Sequence, residues 1–185
     1  MLVTENLMKE HQLILKYVDL MERYAEFSLK HPDTSVLLEK AACFIGFIHD
    51  FADHFHHAKE EDVLFRYLGV SGVLTHCNPV PQMLMEHDKA RGYVKNMERA
   101  VQEKELNVLA DNAAQYARLL KEHIYKEDNI LYPMGEAGLS DEAKTELLKE
   151  YAQTEERLDS QAIWAKYETL GAELELGLDV QGCCH

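Results

Sequence analysis

Two stretches of this 185-residue chain carry the same potential metal ligands at the same spacing. His56-x-x-Lys59-Glu60-Glu61-x-x-Leu64-Phe65 aligns without a gap on His123-x-x-Lys126-Glu127-Asp128-x-x-Leu131-Tyr132, about 67 residues later. Residues four apart share a helix face, so His56 with Glu60, and His123 with Glu127, each present an imidazole and a carboxylate together. Such donors suit borderline and hard first-row cations, chiefly iron, zinc or manganese. A carboxylate turned into an apolar interior is costly unless it is paired or bound to metal. Taken alone, the His56–Asp62 run would serve equally well as a solvated charged face.

The elements that must position these residues read as helices. Pro and Gly are sparse, and Leu, Ala, Glu and Lys are plentiful, which favours helix. A first helix, capped at Thr4 and running to about Leu29, has the inner stripe Leu7, His11, Ile14, Val18, Met21, Ala25. After a turn at Pro32–Ser35, a second helix spans about Val36 to Leu68. Its stripe is Leu38, Ala41, Ile45, His49, Ala52, His56, Glu60, Val63, Tyr67, which leaves His57 and Glu61 one step around. A loop over Gly69–Pro81 holds His76 and Cys77 without partners. A third helix, to about Lys104, buries Leu84, His87, Ala90, Val94, Met97 and Val101; Arg91 stands where a second histidine could have been. A fourth, from Leu106 to Tyr132, buries Leu109, Ala113, Tyr116, Leu120, His123, Glu127 and Ile130, and is ended by Pro133 and Gly135. One further helix, capped by Ser140, runs to about Leu170. The tail GLDVQGCCH is expected to lack fixed structure, although Cys183-Cys184-His185 could take up a soft metal.

Four successive helices each carry a histidine in the seam. His11 and His87 lie early in theirs, His56 and His123 late. In an all-α, up-down-up-down bundle all four therefore meet at one level, where Glu60 and Glu127 arrive from opposite helices. Six ligands with two carboxylates able to bridge favour two cations over one. A closed zinc site would use four ligands, often cysteines. Glu-x-x-His, the signature of the ferritin-like di-iron design, does not occur in the sequence.

The bulk numbers narrow the partners. A formal net charge of −14, from 33 acidic and 19 basic residues, argues against nucleic acid or an anionic membrane, which need clustered Lys and Arg. No apolar run reaches the length of a membrane span. The start, MLVTENLMKEH, has no basic segment followed by an apolar one, so no signal peptide is expected. Cys43 and Cys77 are isolated and Cys183-Cys184 adjacent, which is no disulfide framework, so a cytoplasmic location is expected.

On Glu10-His11, the His56-His57-Ala-Lys-Glu60-Glu61 run, Met85-Glu86-His87-Asp88 and His123 to Pro133, residues 1–135 resemble a hemerythrin-like protein of the HHE cation-binding family. Residues 136–185 form a C-terminal helix and tail packed on the same domain. The resemblance implies a four-helix bundle around a non-haem di-iron centre, two iron ions joined by two carboxylates and an oxo or hydroxo bridge. By position the ligands are His11, His56, Glu60, His87, His123 and Glu127. The oxygen-carrying members have His-x-x-x-His on the third helix, and here only His87 is present. Some members recruit the residue after the second-helix histidine, which adds His57. Asp128 rivals Glu127, since the oxygen carriers use an i,i+5 spacing.

Three functions follow as expectations. The first is binding or sensing of a small ligand (oxygen, peroxide or nitric oxide) or of iron itself. The second is an enzyme that reduces peroxide or nitric oxide, or donates iron for iron-sulfur repair, with Tyr17, Tyr116 and Tyr125 as candidate redox or hydrogen-bonding groups. The third is a metal-free interaction domain, which would leave Glu60 and Glu127 buried without counter-charge. The last helix could pair with a second copy or another protein.

Overall fold

The computed structural model describes residues 2–31, 35–70 and 72–182, and among them it is all helical. Helix α1 spans Glu5–Lys30. A second rod is built from α2 (Val36–Phe47), π-helical turns over Ile48–His57 and Glu60–Leu64, and α3 (Phe65–Leu68). Helix α4 spans Val80–Glu103. A fourth rod joins α5 (Leu106–Lys126), a π-helical turn over Glu127–Leu131, and α6 (Tyr132–Gly138). Two helices follow, α7 (Asp141–Arg157) and α8 (Ser160–Gly182).

In α1 every residue of the expected stripe is buried. Thr4 stands at its N-cap position, but its side chain makes no capping hydrogen bond. Its backbone N–H and its hydroxyl both donate to Glu136 Oε1, at 3.0 and 3.1 Å, which ties the start of α1 to α6. Of the turn read at Pro32–Ser35, residues 32–34 lie outside the described residues.

The second rod departs from a 3.6-residue period. In π-helical turns each N–H reaches back five residues, and such turns concentrate at functional sites. The extra residue per turn rotates the apolar face onto Phe44, Phe47, Ile48, Phe51, Ala52 and Phe55. His49, expected inside, is half exposed and paired with Glu98 at 2.8 Å. Just beyond, His56, His57, Lys59 and Glu60 are all buried. The matching turn in the fourth rod has a similar effect: Leu131 faces in, and Ile130, expected inside, is 46 % exposed. Pro133 does not end that rod, because it follows directly on the change of hydrogen-bond register, where a missing N–H costs least. In α4, Met83 and Glu86 face in and Leu84 faces out.

The single C-terminal helix expected from the sequence is two. Ser140 accepts from the Ala143 N–H and caps α7. The chain then turns at Asp159, in the left-handed region at φ 51°, and α8 continues through most of the expected tail to Gly182. Cys183, Cys184 and His185 lie outside the described residues.

Side chains join the rods: His49 meets Glu98 and Asp53 meets Arg91, His123 meets Glu86, His11 meets Asp128 and Lys121 meets Glu22. Two apolar clusters result. One holds Ile14, Phe47, Phe51, Ala113 and Leu120 with Tyr167 and Leu174 of α8. The other holds Leu7, Leu64, Phe65, Met83 and Leu131 with Leu147 and Tyr151 of α7. In every rod the site histidine falls between a residue of one cluster and a residue of the other, so the polar layer is sealed above and below.

Gly138 touches the loop before α4: a Cβ there would stand 2.2 Å from the Val73 carbonyl oxygen. Gly138→Ala is expected to cost about 1–3 kcal/mol through overpacking, read as a lowered thermal midpoint with helix content unchanged.

Candidate metal centre

Between the two clusters the rods bring together six of the seven residues singled out from the sequence. The Nε2 atoms face each other in pairs, His11 to His56 at 3.1 Å and His87 to His123 at 2.9 Å. Glu60 Oε2 stands 3.5 Å from the Nε2 of His56 and 3.5 Å from that of His87. Glu127 reaches His11 with one oxygen at 3.3 Å and His123 with the other at 3.1 Å. Each carboxylate thus touches one imidazole of each pair. The donor atoms of His11, His56, Glu60 and Glu127 all lie within 4.8 Å of one another, as do those of Glu60, His87, His123 and Glu127.

These residues fit a cation. Glu60 Oε2 and both oxygens of Glu127 are buried without any hydrogen-bond partner, a costly arrangement unless a positive ion meets them. Imidazole nitrogens and carboxylate oxygens are donors for borderline and hard first-row metals.

What aims the imidazoles is a ring of outer acids. His11 Nδ1 bonds Asp128 at 2.7 Å, His56 Nδ1 bonds Glu10 at 2.8 Å, His87 Nδ1 bonds Glu61 at 2.7 Å and His123 Nδ1 bonds Glu86 at 2.8 Å. An Nδ1–H held this way fixes the tautomer and leaves the Nε2 lone pair free to ligate. Asp128, the rival of Glu127, is therefore committed behind His11 while Glu127 faces the centre. Lys59, fully buried, pairs with Glu10 and, at 3.2 Å, with Glu155 of α7. Lys126 pairs with Glu86 at the equivalent place but is 26 % exposed.

The structure does not bring His57 into either carboxylate-sharing group. Its ring stacks on His87 at 3.7 Å, its Nδ1 bonds Asp53 at 2.9 Å, and its cluster is with Glu61 and His87. Arg91 joins the acids behind both rings, donating to Asp53 at 2.9 Å and to Glu61 at 2.7 Å. Burial opposes ionisation of Glu61, but His87 and Arg91 outweigh it and hold that carboxyl at about 2.

The tyrosine at the centre is none of the three expected. Tyr17 donates to the Tyr167 carbonyl, Tyr116 packs in the first apolar cluster, and Tyr125 is 65 % exposed. Tyr132 instead donates to Glu60 Oε1 at 2.5 Å and stacks on His11. Its counterpart in the repeat is Phe65, which lies against His87 and has no hydroxyl to offer Glu127. The outer shell did have a signal in the sequence: Glu10-His11 and Glu86-His87 are matching dipeptides, and the repeat carries its Lys and its second acid along.

Fold and site define a helical protein with a buried histidine-carboxylate cation site. Residues 2–135 match the model of the hemerythrin HHE cation-binding domain, and the chain belongs to that family. No curated protein and no solved structure gives a significant match.

Two expectations follow. Burial opposes protonation of His11 and His123, yet Asp128 and Glu127 around the first, and Glu127 and Glu86 around the second, raise them from 6.5 to about 10 and about 9. A folded-state value raised in this way contributes stability in full below pH 6.5 and loses it as pH rises through 9 and 10. The metal-free protein is thus expected to lose thermal stability between pH 6.5 and 10. Cation uptake at pH 7 should release protons, read by calorimetry in buffers of different ionisation heat.

Tyr132→Phe removes the donor to Glu60 Oε1. It should destabilise the metal-free protein by about 1–3 kcal/mol, with a smaller loss once a cation is present, compared by urea unfolding with and without metal.

Proposed function

We propose that the four rods form an up-down-up-down bundle holding two iron ions. His11 and His56 would serve one ion, His87 and His123 the other, and Glu60 and Glu127 both. The protein then binds or senses a small ligand, whether oxygen, peroxide or nitric oxide, or iron itself. The observation that carries this reading is the pair of buried carboxylates, each in contact with one imidazole of each pair and together holding three unpartnered oxygens. Iron, when bound, supplies a redox-active Lewis acid with positions free for a small ligand.

The chain's own residues orient and insulate. The outer acids hold each Nε2 toward the centre, and Arg91 ties Glu61, behind His87, to Asp53, behind His57. The apolar clusters exclude water, which strengthens every electrostatic contact inside. Tyr132 keeps a proton at Oη, directed to Glu60. That hydroxyl favours a second reading, an enzyme that reduces peroxide or nitric oxide, because such reductions consume protons as well as electrons. Free Cys43 and Cys77 suit a reducing cytoplasm.

Elemental analysis is expected to give about two irons per chain, with Glu60→Gln and Glu127→Gln each lowering the content to about one or fewer. Nitric oxide added to the reduced, iron-loaded protein should change its absorption. One zinc per chain, or iron content indifferent to both substitutions, would overturn the reading.

A further inference from the structure

A cavity of about 180 Å³ lies between the second rod and α4, on the His87 side of the centre. Ile48, Ala52, Ala90, Val94 and Tyr116 supply its apolar walls, and His57 forms part of its lining. His57 is also the ring stacked at 3.7 Å on His87. One imidazole therefore separates the cavity from a residue of the candidate metal centre. Charged groups at the rim balance, Asp53 and Glu98 against Arg91 and Lys95, and Arg91 is bonded to Asp53 and His49 to Glu98.

Other approaches are less open. On the His56 side, Lys59 is fully buried and held by Glu155 of α7. The second apolar cluster closes the end of the rods. A wider groove of about 1070 Å³ runs along α1 and α5, but its lining includes none of the six centre residues.

We propose that this cavity is the holding site and way in for an uncharged diatomic gas, which reaches the centre past the ring of His57. The inference rests on the small-ligand reading of the centre. Apolar walls of this size select against ions and larger polar molecules; an apolar cavity of comparable volume takes up xenon or benzene and stays dry. The balanced rim offers neither an anion nor a cation a net attraction. His57 is held by Asp53, which Arg91 bonds in turn, so passage requires that this ring break its Asp53 contact and swing off His87.

Xenon-pressurised crystals of the full chain test the site without any substitution, and occupancy between Ala52, Ala90 and Val94 is expected. Stopped-flow mixing of nitric oxide with the iron-loaded protein tests the route. Ala90→Phe and Val94→Phe should each slow association by about tenfold, as a barrier higher by about 1.4 kcal/mol would. Iron content and the final spectrum should stay unchanged, and Ala114→Phe in the distant groove should associate at the wild-type rate. Xenon lodging elsewhere, or filled variants that associate as fast as wild type, overturns the proposal. An iron-loaded wild type with no response to nitric oxide defeats the functional reading instead, and the delivery route with it.

Discussion

Two carboxylates in a buried layer set the terms for everything else in this fold. Glu60 and Glu127 are fully buried, and three of their four oxygens have no hydrogen-bond partner. Moving an ionised carboxylate out of water is among the most expensive things a protein does, and it is sustained only by opposite charge. Without a cation, Glu127 keeps its charge against the His11 and His123 imidazoles, while burial and the Glu127 charge push Glu60 toward its protonated form. With one, the imidazoles can turn lone pairs inward. The clusters on either side of the layer make the contrast sharper, because they keep out the water that would otherwise moderate it.

Around this layer the chain repeats itself. A Glu-His dipeptide opens α1 and recurs in α4, and a His-x-x-Lys-Glu-acid cassette closes the second rod and recurs in the fourth. Each dipeptide's Glu orients the histidine of the cassette that follows it, while its own His is oriented by the acid of the other cassette. The relation is broken in three places. Tyr132 has a hydroxyl where Phe65 has none, Lys59 is covered by α7 while Lys126 meets solvent, and His57 has Ile124 as its counterpart. These departures make the two ends of the centre chemically distinct, one tightly enclosed and hydrogen-bonded, the other lying next to a cavity.

The all-helical fold and the meeting of six histidines and glutamates in one buried layer are legible because they depend on residue type and on four-residue spacing, which π-helical turns disturb only locally. In α1, with no such turn, the expected stripe is the buried stripe. His49 and Ile130 were misplaced because a 3.6-residue count cannot register an extra residue per turn. Pro133 reads as a stop because it lacks an N–H, and the π-helical turn before it is what lets the rod continue. The break at Asp159 has neither glycine nor proline to mark it. Tyr132 carries no signal in the repeat, where it matches Phe65, and the one hydroxyl by which they differ matters only because Glu60 Oε1 lies within its reach.

The contact between His11 and Asp128 joins residues 117 apart, so the polar layer cannot close until most of the chain has been made. The second rod is translated with Glu60 already in place, but the acid and imidazoles that complete its surroundings lie in the last two rods. At about 5–20 residues per second, the stretch from His56 to Asp128 takes roughly 4–15 s to emerge. During that interval the first helix pair has no closed pocket for a cation, so its carboxylate and imidazoles remain hydrated. The polar layer is thus enclosed only when all four rods are present, and Glu155 of α7 then adds its contact to Lys59.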